Sequence, residues 1–578
     1  MDVKAAAPFL ETPASRPLDG TVVRALGDTV PVRVAVARLR ALGCSIETGG
    51  GPPPLDAPAG RLRVVRAPWI PGDQALPDCR IGWSGPVRVP MTGERDVQAA
   101  CGIMQVHGRA TGEPRALRID YASVCAGVLA AQTITAGMLA VLRGGADVRA
   151  ATSVAQAAAL ALTQYVAVAT TDPGSGSGSS RPDPEPGAER TPPFRSADGV
   201  RLEIETFRAE TWLRFWTGLG AERSAIVAGW PPFQQRFATG TCDLPAGLQA
   251  AVAARDHLAV RRAAEDAGVS IVTVNDAGTP LPPPPGSPWR LRPLSDAPSP
   301  GAVPAPDGPS RGVEGGPLAG LRVVEATNRV QGPLAGHVLG LLGADVVRVE
   351  PPGGDPMRGV PPMAGECSAR FLALNRGKGA VEADLKTEAG RERALRLAAS
   401  SEVFLQNWAP GRAARFGLDA AAFAAVQPRL VYAYAGGWGE VLPAPQPMGT
   451  DYLVQAHTGV AALLSPPGAP PTPTLMTIID VLGALISAEG VVAGLLAAAR
   501  IGTGVQVETG LADAGRLLRE SHDPGARAAA RTAPVVSDLA AMAADPAYAA
   551  LFETDGAAVY SRAPWTFTRP SSWQREAI

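Results

Sequence analysis

The chain has 578 residues, 46% of them hydrophobic and 19% charged, which allows three or four folding units with sizeable cores and excludes wholesale disorder. Its 53 basic and 54 acidic side chains leave a net charge of −1. That balance gives no footprint for nucleic acid or an anionic membrane, though a local basic pocket for a phosphorylated ligand stays open.

In chain order, MDVKAAAPFLETPASRP lacks a continuous apolar core, so no signal peptide is expected. LDGTVVRALGDTVPVRVAVARLRALG, from Leu18, opens a β–α–β pattern within a first block at 1–169. Six cysteines (Cys44, Cys79, Cys101, Cys125, Cys242 and Cys367) show no C-x-x-C spacing. This speaks against a disulfide framework or zinc site and fits reduced thiols in a cytoplasmic protein. Residues 170–193 are Gly/Ser/Pro-rich and predict a flexible linker. Block 194–278 reads as a small α+β domain: RLEIETF and SIVTV are strands, and amphipathic helices lie between them. The Pro-rich stretch 279–317 reads as a stiffer, extended linker.

The last block, 318–578, repeats the opening pattern. LRVVEA and ADVVRVEPP flank the helical GPLAGHVLGLLGA, and VFLQN (403–407) and RLVYAYAGG (429–437) predict further parallel strands. The class is α/β, a Rossmann-like doubly wound sheet whose ligands sit at the carboxyl ends of the strands. TLMTIIDVLGALISAEGVVAGLLAAA (474–499) is a nearly all-apolar helix with the lone acid Asp480 near its head. It is the best membrane-span candidate, yet Glu489, its glycines and its many alanines suit a buried core helix better.

The two α/β blocks are similar to each other. Gly20 pairs with Gly320 and Gly43 with Gly343 at a constant offset of 300. VQAACGI (97–103) matches VQAHTGV (454–460) at an offset of 357, and Asp120 matches Asp480 at 360. The growing offset means that the first copy lacks over fifty residues, roughly those corresponding to 351–405. Three collinear blocks ending on paired aspartates indicate a degenerate duplication rather than shared Ala/Gly composition.

In the second copy the landmarks run PLAGLRVVEA, VQGPLAG, LGADVVRVEPPGGDPMRG, LNRGK, the VEADLKTEAG…FLQNWAPGRAARFGL stretch, PRLVYAYAGGWGE, VQAHTG and IID. This order resembles the family III CoA-transferases (the CaiB/BaiF group), which include formyl-CoA transferase, carnitine CoA-transferase and the α-methylacyl-CoA racemases. The likeness runs continuously over about 318–518, and 537–568 is similar to the family's closing segment. Block 194–278 resembles the family's small domain. In the family, two subunits interlock, and the active site lies between one subunit's large domain and the other's small domain. The resemblance therefore implies a fused, trimmed pseudo-dimer with one complete site, acting as a monomer or as a homodimer.

Taken alone, Asp480 ahead of VLGALISAEG is a good helix cap. The resemblance gives it the family's catalytic role: its carboxylate attacks an acyl-CoA thioester, forming a mixed anhydride and then an aspartyl-CoA thioester. A helix N-terminus helps keep such a carboxylate charged. Val330, Gln331, Gly332 and Pro333 open a helix after a strand, where small residues let a ligand approach backbone N–H groups. In the family this loop contacts CoA. Leu374, Asn375, Arg376 and Lys378 match its nucleotide-contacting loop, and Arg415 matches an arginine that meets CoA phosphates. Singly, each cation reads as a solvated surface charge. Asp120 lacks this company and reads as an inherited cap.

Racemase members carry a His where Thr450 stands in GTDYLVQAHTG, and His457 reads as a polar neighbour of the site. The implied activity is CoA transfer from an acyl-CoA to a free carboxylic acid, with no metal. An acyl-CoA racemase or isomerase of the same fold, or a non-catalytic CoA-binding pseudoenzyme, are the alternatives.

Overall fold

The structure, a computed structural model, describes residues 14–49, 51, 53–72, 74–145, 148–171, 192–282, 289–294, 315–522 and 531–568. The N-terminal stretch, the connector at 172–191 and most of the Pro-rich stretch lie outside these residues, and the expectations made for them lie outside with them.

Strand Arg322–Ala326 starts the second lobe at the middle of a seven-stranded sheet. Val323 and Val324 pair in parallel with Val346 and Val347 of Asp345–Glu350 on one side, and with Val403 and Phe404 of Val403–Gln406 on the other. The sheet runs Gly379–Glu382, Asp345–Glu350, Arg322–Ala326, Val403–Gln406, Val431–Gly436, Val505–Gly510 and Arg290–Pro293. The strands are parallel up to the last, which is antiparallel. All four residues of Val403–Gln406 are buried, as a strand covered by helices on both faces requires. The chain leaves the central strand in one direction and returns to build the other half. The doubly wound arrangement therefore has its switch point between Arg322–Ala326 and Val403–Gln406, where such sheets open a crevice at their carboxyl ends.

The first lobe keeps the β–α–β opening: Val22–Leu26 and Ser45–Gly49 pair in parallel, joined by helix Val30–Ala41. Beyond it the sheet is mixed. Its order is Ser45–Gly49, Val22–Leu26, Gly60–Arg66, Asp78–Gly82, Arg149–Ser153 and Trp565–Thr568. Gly60–Arg66 runs antiparallel to both neighbours and takes the place that Val403–Gln406 holds in the other sheet. Without a counterpart of 351–405 the chain has no helical crossover to bring it back in parallel. An antiparallel return is what remains, so among the described residues this sheet lacks the parallel switch point of the second.

Two long apolar helices, Tyr121–Leu142 and Ile478–Ile501, pack against each other between the sheets. By length and composition either could cross a membrane, but both are buried inside the protein. Their glycines mark close approaches: a Cβ on Gly490 would stand 2.6 Å from Trp289, and one on Gly494 2.6 Å from Val507. Across this core Arg38 Nε donates to Glu489 at 2.6 Å, and both side chains are buried.

The small domain is a three-stranded antiparallel sheet (Phe194–Arg195, Arg201–Glu205, Ser270–Thr273) with four helices around a core of Trp212, Trp216 and Phe233. It follows the first lobe in sequence but docks on the second. The Asn275 amide donates to the Ala456 carbonyl (2.9 Å), and Asn275 Nδ2 to that of His457 (2.6 Å). The chain then adds Arg290–Pro293 to the second lobe's sheet. The tail does the reverse. It follows the second lobe, yet the amides of Thr532 and Ala533 donate to Asp96 Oδ1 at 2.7 and 3.0 Å, and Trp565–Thr568 closes the first sheet. Trp289 Nε1 bonds the Ile486 carbonyl and Trp565 Nε1 that of Leu129, so a tryptophan anchors each exchanged strand to a long helix.

Candidate active site

Helix Ile478–Ile501 is capped by Asp451, not by Asp480. Asp451 Oδ2 accepts the backbone amides of Ile479 and Asp480, both at 2.7 Å, and its other oxygen accepts from Gln455. These are the orphan donors of a helix start, and a fixed carboxylate is a strong partner for them. The first lobe builds the same device from the residues 357 earlier: Glu94 accepts the amides of Ala122 (3.0 Å) and Ser123 (2.7 Å), and Gln98 donates to it at 2.9 Å. Sequence reasoning missed both acids. The signal was an acid four residues ahead of the glutamine in each VQA motif, one helical turn apart.

Relieved of capping, the Asp480 carboxylate is partly exposed at the head of its helix. Burial raises its pKa, Arg329 opposes that rise, and Glu205 adds to it. Asp451 is likewise raised, by burial and by the negative charge of Asp480. Arg329 lies one residue before Val330 on the loop leaving the central strand. It has φ +68°, a left-handed backbone that non-glycine residues seldom adopt and that tends to occur at functional sites. Asn328 and Asn407 clamp this loop across the switch point, amide to Oδ1 at 3.0 Å and Nδ2 to carbonyl at 2.8 Å. The Arg329 guanidinium lies 3.6 Å over the ring of Phe207 from the small domain. Glu205, two residues before that ring, pairs with the buried Arg236 at 3.1 Å. The first lobe also reaches this point, because the Thr477 amide donates to the Tyr165 hydroxyl at 3.2 Å. All three parts of the molecule therefore meet at the start of one helix.

The residues expected to contact CoA fall into three groups. Val330, Gln331, Gly332 and Pro333 stand at the switch point. Gln331 Nε2 donates to the Gly436 carbonyl at 3.2 Å and faces Gly483, one turn along from Asp480. A Cβ on Gly332 would stand 2.5 Å from the Thr327 side chain, so only glycine lets the helix start so close to the strand end. Leu374, Asn375, Arg376 and Lys378 form the neighbouring loop with their polar groups turned inward. Lys378 Nζ bonds both Glu325 oxygens (3.0 Å each), Asn375 Oδ1 (3.1 Å) and the Pro333 carbonyl (2.6 Å). Burial lowers its pKa to about 8. Asn375 also accepts from Arg348, which pairs with Glu325, Glu350 and Asp355. Arg376 holds Glu553 (2.9 Å) and the Ser561 carbonyl of the tail, with His337 at 3.1 Å. Arg415 is exposed on the short helix Arg412–Phe416, after the strand across the switch point. His457 lies at the far end of the Asp451 helix, edge-on to Trp438. Two clefts, one of about 440 Å³ beside Arg88 and Arg562 and one of about 560 Å³ beside Arg516 and Arg519, are lined by residues other than Asp480.

The family model described as CoA-transferase family III matches residues 82–281 and 318–550, and the chain belongs to that family. Succinate–glutarate CoA-transferase of Agrobacterium fabrum is 33% identical over 205 residues, 34% of this chain and 51% of that protein. Acetyl-CoA:oxalate CoA-transferase of Acetobacter aceti is 33% identical over 200 residues, again 34% and 51%. A crystal structure of a CaiB/BaiF family protein from Brucella suis aligns with 34% identity over 36% of this chain and 55% of that one, with a TM-score of 0.34. The chain spans about half the length of the curated relatives it matches.

Proposed function

We propose that the protein moves CoA between an acyl-CoA thioester and a free carboxylic acid, with Asp480 as the nucleophile. One observation carries this reading: the Asp480 carboxylate, at the carboxyl side of the sheet, is spared from capping by Asp451, and the positive charge of Arg329 opposes the rise that burial gives its pKa. Family membership supports it, as do relatives named for CoA transfer to small carboxylic acids.

An Asp480 oxygen attacks the thioester carbonyl, the C–S bond breaks, and CoA leaves as thiolate, giving a mixed anhydride. The thiolate then attacks the Asp480 carbonyl, forming an aspartyl-CoA thioester and releasing the first acid. The acceptor carboxylate reverses these steps, so no net proton moves. Arg329 offsets charge developing at the acyl oxygen. Val330, Gln331, Gly332 and Pro333 approach CoA with backbone groups; exposed Arg415 meets its phosphates, while Leu374, Asn375, Arg376 and Lys378 shape the neighbouring loop through their own internal bonds and ion pairs rather than through free cations. A degenerate internal duplication accounts for the two lobes, a monomeric pseudo-dimer is the working unit, and the cytoplasm is its place.

The test is to incubate the protein with acyl-CoA and hydroxylamine or borohydride and to map modification by mass spectrometry. An adduct at Asp480 together with CoA exchange is expected. Exchange without that adduct, or neither, overturns the reading. Deuterium entering the acyl α-carbon without CoA exchange would assign the fold to racemisation instead.

A further inference from the structure

The turn that leads into the Asp480 helix is gripped from the first lobe at both ends. At its end, the Tyr165 hydroxyl accepts the Thr477 amide at 3.2 Å and lies 3.4 Å from Thr477 Oγ1. At its start, His107 Nδ1 stands 2.8 Å from Thr474 Oγ1. That hydroxyl already accepts the Met476 amide at 3.2 Å, so its proton is free for a neutral imidazole that accepts at Nδ1. Burial and the charge of Arg115 keep the ring neutral, pushing the His107 pKa down to about 4. Tyr165, Thr474 and Thr477 are all buried. From Thr474 the bonds continue inward. Gln455 accepts its amide at 2.9 Å, donates to its carbonyl at 3.0 Å and donates again to Asp451, whose other oxygen holds the Asp480 amide.

The two copies have diverged at this junction. At the offset of 357 the counterpart of His107 is Leu464, and at 360 Thr474 and Thr477 correspond to Pro114 and Leu117. Leucine offers no acceptor and proline no hydroxyl, so the His107–Thr474 contact has no mirror image. The turn ahead of Asp120 is held from within its own lobe, by the Arg115 amide on the Met104 carbonyl (2.8 Å) and by Gln98 on that of Ile119 (3.0 Å). Burying hydroxyls and an imidazole costs free energy unless each is bonded, and an apolar junction would have packed as well. Polar groups on both faces, matched bond for bond, specify one position for the turn.

We propose that Tyr165 and His107 are positioning residues for the reaction at Asp480: the first lobe fixes the 474–477 turn and, through it, the direction in which Asp480 presents its carboxylate. This rests on the CoA-transfer reading above and gives the degenerate lobe a part in it. Neither side chain touches the reacting atoms. Asp480 lies three residues after Thr477, so a tilt of the turn tilts the first helical turn and the carboxylate on it. A nucleophilic oxygen must approach its carbonyl to about 3–3.5 Å along one direction, and a misplacement of about 1 Å can cost about a hundredfold in rate.

Tyr165→Phe keeps the ring that faces the Arg109 and Arg370 guanidiniums, at 5.5 and 6.0 Å, and removes only the hydroxyl. His107→Leu removes the acceptor at the other end of the turn, and His107→Asn restores one. CoA exchange is measured per Asp480 that hydroxylamine can trap, which discounts any unfolded fraction. Tyr165→Phe and His107→Leu should each lower kcat about tenfold, with KM for the acyl-CoA and affinity for free CoA changed by less than about twofold. His107→Asn should recover most of the loss. Unchanged kcat per trapped site, or losses confined to KM or to CoA affinity, overturn the proposal. Hydrogen–deuterium exchange over 474–481 reads the turn without reference to activity: faster exchange in the two variants upholds the grip, and unchanged exchange overturns it. If the wild type transfers no CoA, the transferase reading falls, and this exchange measurement alone decides whether the first lobe fixes the turn. If Tyr165→Phe does not fold, the two His107 variants carry the same comparison.

Discussion

Asp480 is held by opposing forces, and each can be removed. Its pKa is raised above the ordinary aspartate value of 3.8, and as a nucleophile it works ionised. CoA exchange should therefore fall on acidification with a midpoint above 3.8, at a higher pH than an unperturbed aspartate would give. Glu205→Gln removes a negative neighbour, lowers that pKa and should move the acid limb to lower pH. Arg329→Asn, which tolerates the left-handed backbone, removes the positive neighbour and should move it to higher pH. A pH–rate profile of each variant checks the sign, and equal profiles would separate the small domain from the chemistry. Asp480→Asn should cost at least about a thousandfold in exchange. Its melting temperature should stay close to that of the wild type, because Asp451 and not Asp480 holds the helix end. Asp451→Ala is the converse, losing about 1–2 kcal/mol of stability with the cap.

At the scale of elements, the Arg38–Glu489 pair joins the first lobe's opening helix to the Asp480 helix. The corresponding positions in the other copies, Val338 and Leu129, are both apolar. Glu489→Leu alone leaves a buried guanidinium unpaired and should cost about 3–5 kcal/mol, whereas adding Arg38→Val should recover most of that loss. Denaturant unfolding of the two single variants and the double variant closes the cycle. Much at this scale was legible in advance. The β–α–β openings, the parallel strands at 403–406 and 431–436, and the apolar helix behind Asp480 follow from periodicity and from the repeat. What escaped came from distance in sequence. Gly60–Arg66 alternates inward Leu62 and Val64, but a gap in the repeat hid it. Arg290–Pro293 is four residues inside a proline-rich stretch, and only its partner Val505–Gly510 makes it a strand. Asp451 bonds amides 28 and 29 residues away, Glu205 comes from another folding unit, and no local pattern records either.

At the scale of the molecule, each lobe gives its following segment to the other: the small domain and one edge strand go forward, the tail goes back. The docking is reciprocal within one chain, as the proposed monomeric pseudo-dimer requires. Sizing in solution should therefore return a species near 59 kDa, and a stable species of twice that mass would count against the monomeric pseudo-dimer. A protease site introduced at 300–305 should, once cut, leave the two pieces co-eluting with exchange activity retained. Separation on cutting would mean that the covalent link, rather than the reciprocal docking, holds the halves together.

The returning tail also sets a timetable. Thr152, on the strand closed by Trp565–Thr568, bonds the carbonyl of Pro564, 412 residues later. At typical synthesis rates of about 5–20 residues per second, the interval between the two is roughly 20–80 seconds. Through that time the nascent first lobe has an open sheet edge beside an apolar helix, the kind of surface that invites association with other chains. A chain released early keeps that edge for good, so completion of the first lobe records that the ribosome reached the tail.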